Sequence, residues 1–440
     1  MLELFPQQDP GGRPRRRPSP DTRGIRAAVQ SPEHRRQATQ HARPDETYET
    51  GDGEERERHG ESALELALEL QRSLLPRLTP HLPGVEIAYR YLPSNDVIQV
   101  GGDWFDAIVL PGKRIGLVVG DVMGHGVASA VIMGQLRTAV QTLAVLGLPP
   151  HELLRHLDEA ARRLSDTHLA TCLYAVYDPV TGRCTLANAG HLPPVLARPG
   201  QPGRLLKIPT GVPIGVGGHA FDSVEFQIAD GEIMALYTDG LVETPNRDID
   251  DSLEMLRAAL PSRPVSLDET CRTIVDTVGN GSREDDAALL LARFHGIPAE
   301  NVASWALEPE PRAAGQARRL LRPVLESWGL AHLSPVTELL ATELIGNSVR
   351  FASRPIGLRL LYTDTLTCEV HDDSHTLPVP RTVHGLNESG RGLSIISTLA
   401  QRWGTNRTDT GKIVWFELDP ESPAGDDRPP AERPTGRETD

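Results

Sequence analysis

Residues 115–126 read Ile-Gly-Leu-Val-Val-Gly-Asp-Val-Met-Gly-His-Gly, an apolar run that ends at Asp121 and passes into a glycine-rich turn. The apolar residues predict a buried strand, and the glycines let the backbone fold closely around whatever the carboxylate holds. A carboxylate at the edge of a buried strand is costly unless it binds a metal, a cation or a substrate. Taken alone the segment is only moderately specific, because a strand-to-helix turn capped by an aspartate explains it equally well.

Three further aspartates stand in comparable places: Asp103 in Val-Gly-Gly-Asp-Trp-Phe-Asp, Asp239 in Tyr-Thr-Asp-Gly, and Asp285 in Glu-Asp-Asp-Ala-Ala. Four such positions predict one shared site. Divalent cations such as Mg²⁺ and Mn²⁺ prefer oxygen ligands, and two of them can share bridging carboxylates while activating water for attack on a phosphate. The residues therefore predict a two-metal phosphatase, with the carbonyl of Val122 as a further candidate ligand.

The composition excludes several other classes of protein. A formal net charge of −15 argues against direct nucleic-acid binding, because no basic surface is evident beyond an arginine-rich first tail. The four cysteines are scattered without Cys-x-x-Cys pairs, which predicts neither a zinc site nor a disulfide framework and favours a reducing cytoplasm. The apolar stretch at 127–148 is interrupted by Gln135, Arg137 and Gln141, so we expect a helix that does not span a membrane.

The chain divides into five parts by composition. Residues 1–60 and 420–440 are rich in Pro, Gly and charged residues, which predicts disordered tails. Residues 61–78 contain an amphipathic helix closed by Pro76, which either packs on its own domain or acts as a dimer-forming or regulatory switch. Two folded domains are predicted, at 79–295 and 300–419.

Many short strands around a pair of central helices predict an α+β sandwich for the first domain. The expected strands are 85–91, 104–109, 115–119, 172–177, 184–188, 224–228, 232–237 and 287–294, and the central helices are 127–146 and 150–165. The second domain is predicted to be a smaller α/β unit. Its expected strands are 305–307, 356–363, 367–371 and 413–418, and its helices are 312–328 and 334–351.

The four aspartate segments resemble the metal-dependent serine/threonine protein phosphatases (PPM), in particular the bacterial branch of the sporulation stage II E phosphatase and the stress-response regulators of sigma factors. The resemblance covers about residues 62–295 and includes Gln-Arg-Ser-Leu-Leu-Pro, Asn-Ala-Gly-His-Leu-Pro-Pro at 188–194 and Gly-Val-Pro-Ile-Gly at 211–215. It implies an α-β-β-α sandwich, two Mn²⁺ or Mg²⁺ ions, and water that attacks phosphoserine in line without a covalent enzyme intermediate.

The same resemblance implies roles for individual residues. Asp121 would bridge the two ions, Asp239 and Asp285 would complete one of them, and Asp103 would act near the metals directly or through water. His125 is a candidate proton donor to the leaving serine, although a histidine in a glycine turn also satisfies backbone groups.

Three other residues are weaker candidates. Asp106 and Asp286 are expected to be capping or turn carboxylates rather than metal ligands. His191, beside two prolines, is expected to shape the rim of the site.

The second domain contains Glu343 and Asn347 four residues apart on one helix face, then Asp372 at a strand end, then Gly390-Arg-Gly392 opening a helix. Their order and spacing resemble the ATP-binding (GHKL) fold of gyrase, heat-shock 90, histidine kinases and the anti-sigma-factor serine kinases. Gly-Lys-Ile-Val-Trp-Phe-Glu-Leu at 411–418 matches the closing strand of the last group.

By position, the resemblance implies Glu343 as the general base, Asn347 as the Mg²⁺ ligand of ATP and Asp372 as the adenine contact, with Gly390 and Gly392 as hinges of the phosphate lid. The chain departs from the family at 372–378, where Asp-Asp-Ser-His-Thr-Leu-Pro replaces Asp-x-Gly-x-Gly and makes the loop less permissive near the nucleotide.

Together the two resemblances imply a phosphatase that dephosphorylates a STAS-type anti-sigma-factor antagonist, fused to an ATP-binding serine kinase domain, with a sigma factor as the eventual beneficiary. The alternative is that the second domain only binds ATP and sequesters a partner without kinase activity.

Overall fold

The computed structural model describes residues 82–94, 101–164, 168–260, 265–279, 285–376, 391–408 and 410–421, all of which belong to one compact unit, Arg56–Asp440. The helix predicted at 61–78 and the tail at 1–60 lie outside the described residues, as does nearly all of the tail at 420–440. No helix in these ranges is both long enough and apolar enough to cross a membrane.

Two five-stranded sheets form the first part of the chain, which we call the sandwich (residues 85–294). Its strands are β1 (Val85–Leu92), β2 (Trp104–Val109), β3 (Ile115–Val122), β4 (Ala170–Asp178), β5 (Arg183–Ala189), β6 (Val195–Ala197), β7 (Arg204–Leu205), β8 (Ser223–Gln227), β9 (Ile233–Tyr237) and β10 (Ala287–Phe294). The first sheet has the order β1-β10-β9-β6-β7 and the second has the order β2-β3-β4-β5-β8.

Five helices accompany these strands. They are α1 (Val127–Ala144), α2 (Pro150–Leu164), α3 (Asp239–Val242), α4 (Ile249–Ala259) and α5 (Leu267–Thr277). Residues such as Phe105, Leu117 and Leu290 fill a core between the two sheets. Helices α1 and α2 cover the outer face of the second sheet, and α4 and α5 cover the outer face of the first. The predicted α+β sandwich is confirmed as four layers, although α4 and α5 were not predicted.

The hairpin of β2 and β3 places two of the predicted metal ligands at one end. Its register pairs Trp104 with Gly120 and runs to a turn at Pro111–Lys113, so Asp103 and Asp121 both lie at the end opposite the turn. Strand β3 continues to Val122 rather than ending at Val119 as expected, because it stays paired with β4 as far as Ala170. Asp121 is therefore held in a strand, not in a free turn.

The C-terminal region (residues 302–418) is a five-stranded antiparallel sheet with helices on one face. Its strands are β11 (Val302–Leu307), β12 (Ile356–Tyr362), β13 (Leu366–Asp372), β14 (Arg402–Thr408) and β15 (Gly411–Leu418), and its helices are α6 (Ala313–Ser327), α7 (Ser334–Val349) and α8 (Arg391–Leu399). The sheet order is β11-β12-β13-β15-β14. Strand β14 was not predicted, since its sequence, Arg-Trp-Gly-Thr-Asn-Arg-Thr, is polar and carries a glycine.

The C-terminal region contacts the hairpin turn of the sandwich through ion pairs. Lys113, which is buried and has a left-handed backbone with φ of 58°, donates from Nζ to Asp364 and Thr365 at 2.9 Å each. In the opposite direction, Arg359 approaches Asp178 of the sandwich at 3.7 Å. These contacts join the two regions at the end of the hairpin that lies away from Asp103 and Asp121.

Candidate metal centre

Asp103 and Asp121 are brought together by the β2–β3 hairpin. Asp103 is buried, with 3% of its surface exposed, and its Oδ2 accepts a hydrogen bond of 2.7 Å from the hydroxyl of Thr238. The same hydroxyl accepts from the amide of Ala288 at 2.8 Å. Thr238 thus links the hairpin of the second sheet to β9 and β10 of the first sheet.

Asp239 and Asp285 come from the first sheet. Asp239 begins the short helix α3 directly after β9, and Asp285 lies two residues before β10, the antiparallel neighbour of β9. Each side chain accepts a hydrogen bond from the amide that follows it, Gly240 or Asp286, at 2.8 Å. The two sheets therefore each supply two of the four predicted carboxylates.

The four carboxylates act on one another electrostatically. Burial raises the pKa of Asp121 to about 7, and the charges of Asp239 and Asp285 add to that rise while a hydrogen bond with Asp103 opposes it. Burial and the charge of Asp121 raise the pKa of Asp103 well above its ordinary value. The pKa of Asp239 is also raised, first by burial and then by Glu243 and Asp285. The four predicted ligands therefore form one anionic cluster.

The chemistry of this cluster fits divalent cations. Carboxylate oxygens are the ligands that Mn²⁺ and Mg²⁺ prefer, and buried carboxylates that raise each other's pKa are stabilised by any added positive charge. Within the described residues, no three His, Cys, Asp or Glu side chains lie close enough to hold a metal ion on their own. Mg²⁺ and Mn²⁺ also take water and backbone carbonyl oxygens as ligands, so the side chains of the cluster do not have to supply a full coordination shell.

Two glycines make the close packing around the cluster feasible. A Cβ on Gly102 would lie 2.3 Å from the carbonyl oxygen of Val122, whose amide donates to the carbonyl of Gly102 at 3.2 Å. A Cβ on Gly240 would lie 1.9 Å from the carbonyl oxygen of Asp286. Both contacts are with backbone, so a side chain at either position would push apart the strands that carry the aspartates. The predicted ligand carbonyl of Val122 lies beside the residue that precedes Asp103.

Asp286 and Asp106 both accept hydrogen bonds from protein groups, and Asp106 lies within β2 rather than at the cap or turn that was expected. The carboxylate of Asp286 accepts from the Tyr91 hydroxyl at 3.0 Å and the Ser94 amide at 2.6 Å. Asp106 accepts from Arg137 at 3.1 Å and Gln141 at 2.6 Å, which fastens β2 to helix α1. Both carboxylates are thus occupied by donors of the protein itself.

The two histidines of the sandwich motifs lie in opposite environments. His125 is exposed in the turn that follows β3, which leaves it free to meet a substrate. The prediction that His191 shapes the rim is wrong: only 4% of its surface is exposed, and its ring nitrogens contact Thr171 at 2.6 Å and the carbonyl of Tyr237 at 3.0 Å.

In the C-terminal region, some of the predicted nucleotide residues come together. Glu343 and Asn347 are half-buried on helix α7, and a Cβ on Gly392 would lie 2.5 Å from the Glu343 carboxylate, so the start of α8 sits against Glu343. Gly390 lies outside the described residues.

Asp372 is fully occupied by protein groups. Its Oδ1 accepts from Lys412 Nζ at 2.6 Å and from the Ser374 amide at 3.0 Å, and its Oδ2 accepts from the Ser348 hydroxyl at 2.6 Å. The Asp372 side chain, which pairs with Lys412, is fully buried. Sequence reasoning missed Lys412, although the residue stands in the quoted closing-strand motif, because its register opposite Asp372 becomes visible only once β13 and β15 are paired. It missed Thr238 for the same reason.

Comparisons with known proteins find similarity over part of the chain. The family model described as Stage II sporulation protein E (SpoIIE) matches residues 111–295. The chain is 31% identical over 191 residues to the phosphoserine phosphatase RsbP of Bacillus subtilis, covering 41% of this chain and 45% of RsbP. It is 25% identical over 185 residues to the phosphoserine phosphatase RsbU of the same organism, covering 41% of this chain and 54% of RsbU. The chain thus spans about half the length of these curated relatives.

Solved structures also resemble the chain. The RsbU and RsbW domains of Rv1364c from Mycobacterium tuberculosis give a TM-score of 0.46 at 26% identity, covering 77% of this chain and 95% of that chain. The SiaA-PP2C domain of Pseudomonas aeruginosa gives a TM-score of 0.46 at 22% identity, covering 56% of this chain and 100% of that domain. The family model thus matches residues 111–295 of the sandwich, and the two curated relatives that the chain resembles are phosphoserine phosphatases by name.

Proposed function

We propose that the protein is a Mn²⁺- or Mg²⁺-dependent protein serine phosphatase. The observation that carries this proposal is the cluster of Asp103, Asp121, Asp239 and Asp285, which come from two sheets and whose charges help to raise the pKa values of Asp103, Asp121 and Asp239. An arrangement of this kind costs folding free energy unless it binds cations. The family match at 111–295 supports the same class of enzyme.

The substrate we propose is a phosphoserine on a small protein. Two curated relatives, RsbP and RsbU, are phosphoserine phosphatases by name. The resemblance of the motifs further implies a STAS-type anti-sigma-factor antagonist, whose dephosphorylation would release a sigma factor by partner switching. Such a pathway would place the protein in the cytoplasm.

The residues divide the work as follows. The chemistry that Mn²⁺ or Mg²⁺ would supply when bound is positive charge beside the phosphate and a lower pKa for the attacking water. Asp121, Asp239 and Asp285 provide the ligand oxygens, and Asp103, oriented by Thr238, contributes a further carboxylate beside them. We assign to the exposed His125 the role of donating a proton to the leaving serine oxygen.

Phosphate release from a phosphoserine antagonist, or from a small aryl phosphate, tests this proposal. We expect release only when Mn²⁺ or Mg²⁺ is present, and we expect excess chelator to abolish it. Undiminished release in chelator would contradict the metal-dependent mechanism.

For the C-terminal region we propose an ATP-binding, anti-sigma-factor-like serine kinase domain. Helix α7 carries Glu343 as the base and Asn347 as the Mg²⁺ ligand, and the approach of Gly392 to Glu343 supports a lid hinge at the start of α8. Gly390 and the adenine contact of Asp372 complete the proposed site.

The alternative is that this region only binds ATP and sequesters a partner without phosphorylating it. One observation bears on ATP binding in both cases. Asp372 is buried and already accepts three hydrogen bonds, from Lys412, Ser374 and Ser348, so an adenine amino group has to compete for it.

Calorimetry with ATP, followed by transfer of labelled phosphate to a purified antagonist, separates the two alternatives. Asn347→Ala should abolish Mg²⁺-ATP binding while leaving metal-dependent dephosphorylation intact, because the phosphatase ligands all lie in the sandwich. Transfer by the unmodified protein would establish the kinase, and ATP binding without transfer would establish the sequestering role.

A further inference from the structure

His191 joins the two sheets of the sandwich through its imidazole ring. One ring nitrogen, Nδ1, lies 2.6 Å from the hydroxyl of Thr171 on β4, in the second sheet. The other, Nε2, lies 3.0 Å from the carbonyl oxygen of Tyr237 on β9, in the first sheet. A single buried side chain therefore connects one strand of each sheet.

The partners fix the direction of both hydrogen bonds. A carbonyl oxygen only accepts, so Nε2 carries the proton and donates to Tyr237. Nδ1 is then unprotonated and accepts from the Thr171 hydroxyl. Burial lowers the pKa of His191 to about 4, which agrees with a neutral ring in this tautomer.

Each end of this connection lies next to a metal-ligand candidate. Thr171 is the register partner of Asp121 across β3 and β4. Tyr237 stands two residues before Asp239. The ring thus spans from the neighbour of one carboxylate to the strand end that carries the other.

The backbone of His191 is itself clamped. The side chain of Asn188 accepts from the His191 amide at 2.9 Å and donates to the His191 carbonyl at 2.8 Å. Asn188 has 1% of its surface exposed, so this pair of bonds is shielded from water. The Asn-Ala-Gly-His motif therefore holds the imidazole at a fixed place between the sheets.

We propose that His191 is a positioning residue that sets the separation of Asp121 and Asp239, and thereby the metal affinity of the site. The proposal rests on the metal-dependent function proposed above. Because the carboxylates repel one another, the strands that carry them have to be held in place for the ligand oxygens to keep their spacing. A neutral imidazole with one donor and one acceptor does this without adding charge to the cluster.

Mn²⁺ binding to the full chain, measured by calorimetry, tests the proposal. Thr171→Val removes one arm of the bridge at nearly constant volume, and we expect it to weaken Mn²⁺ affinity about tenfold. His191→Leu removes both arms and should weaken affinity further, whereas His191→Gln keeps an amide donor for the Tyr237 carbonyl and should recover part of the loss.

Thr270→Val is the matched control. The Thr270 hydroxyl is buried and donates to the Ser266 carbonyl at 3.0 Å on helix α5, in the outer helix layer. It should lower stability as Thr171→Val does and leave Mn²⁺ affinity unchanged. Hydrolysis of an aryl phosphate gives a second readout: at saturating Mn²⁺ the turnover of Thr171→Val should return to near that of the unmodified protein.

The outcomes separate this inference from the proposed function. Mn²⁺ affinity that is unchanged in Thr171→Val and His191→Gln, or equally weakened in Thr270→Val, would overturn the positioning role and leave the phosphatase standing. A turnover that stays low at saturating Mn²⁺ with unaltered affinity would overturn it as well. Absence of Mn²⁺ binding by the unmodified protein would overturn the metal site and this inference together.

Discussion

Buried carboxylates occur in both regions of the molecule, but their surroundings are opposite. In the sandwich, Asp103 and Asp121 lie among other carboxylates, and the pKa of each is raised. In the C-terminal region, burial alone would raise the pKa of Glu369, but a hydrogen bond from His371 and the charge of Arg359 lower it to about 2. Asp372 of the same strand is held by Lys412.

The difference distinguishes a functional cluster from structural ion pairs. A buried carboxylate with a cation beside it is already neutralised, and removing that cation is costly. A buried carboxylate whose neighbours are carboxylates remains unneutralised until something positive arrives from solution. The carboxylates of the sandwich therefore need cations from solution, whereas those of the C-terminal sheet are neutralised by Lys and Arg side chains of the protein.

The largest expected effect is on turnover. Asp121→Asn and Asp239→Asn each remove a charge and a ligand oxygen from the cluster, so we expect phosphate release to fall about 10³-fold, equivalent to about 4 kcal/mol of transition-state stabilisation. The measurement is the steady-state rate of aryl phosphate hydrolysis at saturating Mn²⁺. Asp230→Asn, at a side chain that is 82% exposed, is the control and should keep the full rate. Near-full rates in folded Asp121→Asn and Asp239→Asn would refute the ligand assignment.

The next effect is on the stability of the C-terminal region. Lys412→Met leaves the Asp372 carboxylate buried without its cation, so we expect a loss of about 3–5 kcal/mol in the free energy of unfolding. Urea denaturation followed by tryptophan fluorescence measures it, since Trp403 and Trp415 lie in the same sheet.

Arg312→Met is the control for that loss. Arg312 pairs with Glu310 at 2.6 Å, but the two side chains are 80% and 45% exposed, so removal of the pair should cost less than about 1 kcal/mol. Equal losses in the two variants would mean that the Lys412–Asp372 pair is no more important than a surface pair.

The fold could be predicted from the sequence in segments where the apolar residues follow a clear pattern. Strands such as β2 and β10 were predicted with the observed bounds because they are nearly continuous apolar runs. Helices α4 and α5 were missed, although capping side chains at Asp248 and Ser266 mark their starts and their apolar residues recur at helical spacing. Strand β6, at three residues, is too short to show a period.

The structure brings the four predicted aspartates near one another, and the side chains that support them were not predicted. The four aspartates were singled out because each lies at the edge of an apolar run, which is a local signal. The supporting contacts depend on which strands become neighbours, and one sequence does not show that register. They are those of Thr238, His191 and Lys412. His191 was therefore assigned to the rim from its flanking prolines, although it lies in the core.

A smaller effect concerns the acid side of the stability profile. Burial lowers the pKa of His191 to about 4, below the ordinary value of 6.5, so the folded state holds the ring neutral while the unfolded chain protonates it. The resulting stability is present above pH 6.5 and is lost as the pH falls to about 4, by roughly 3 kcal/mol in total. His191→Gln cannot protonate, so its stability should fall less than that of the unmodified protein over this window. If the free energies of unfolding of His191→Gln and of the unmodified protein fell equally from pH 7 to 4, His191 would not titrate in this way.

The smallest expected effect is a gain in stability, in a variant for which the first prediction is a loss of phosphate release. In metal-free protein Asp121→Asn removes one of the repelling charges, so it should stabilise the fold while it abolishes activity. Burial raises the pKa of Asp121 to about 7, so the contribution of this group to stability is present below its unfolded pKa near 4 and is lost as the pH rises through about 7. Because Asp103 and Asp239 share the repulsion and relax with it, we expect the gain in Asp121→Asn to reach about 2 kcal/mol at pH 8 and to vanish near pH 4.

Denaturation in chelator at both pH values measures the gain. Saturating Mn²⁺ should reverse its sign, because the cations then stabilise the unmodified protein and not the variant. A destabilised, metal-free Asp121→Asn at pH 8 would show that the carboxylates of the sandwich are satisfied within the protein, as those of the C-terminal region are.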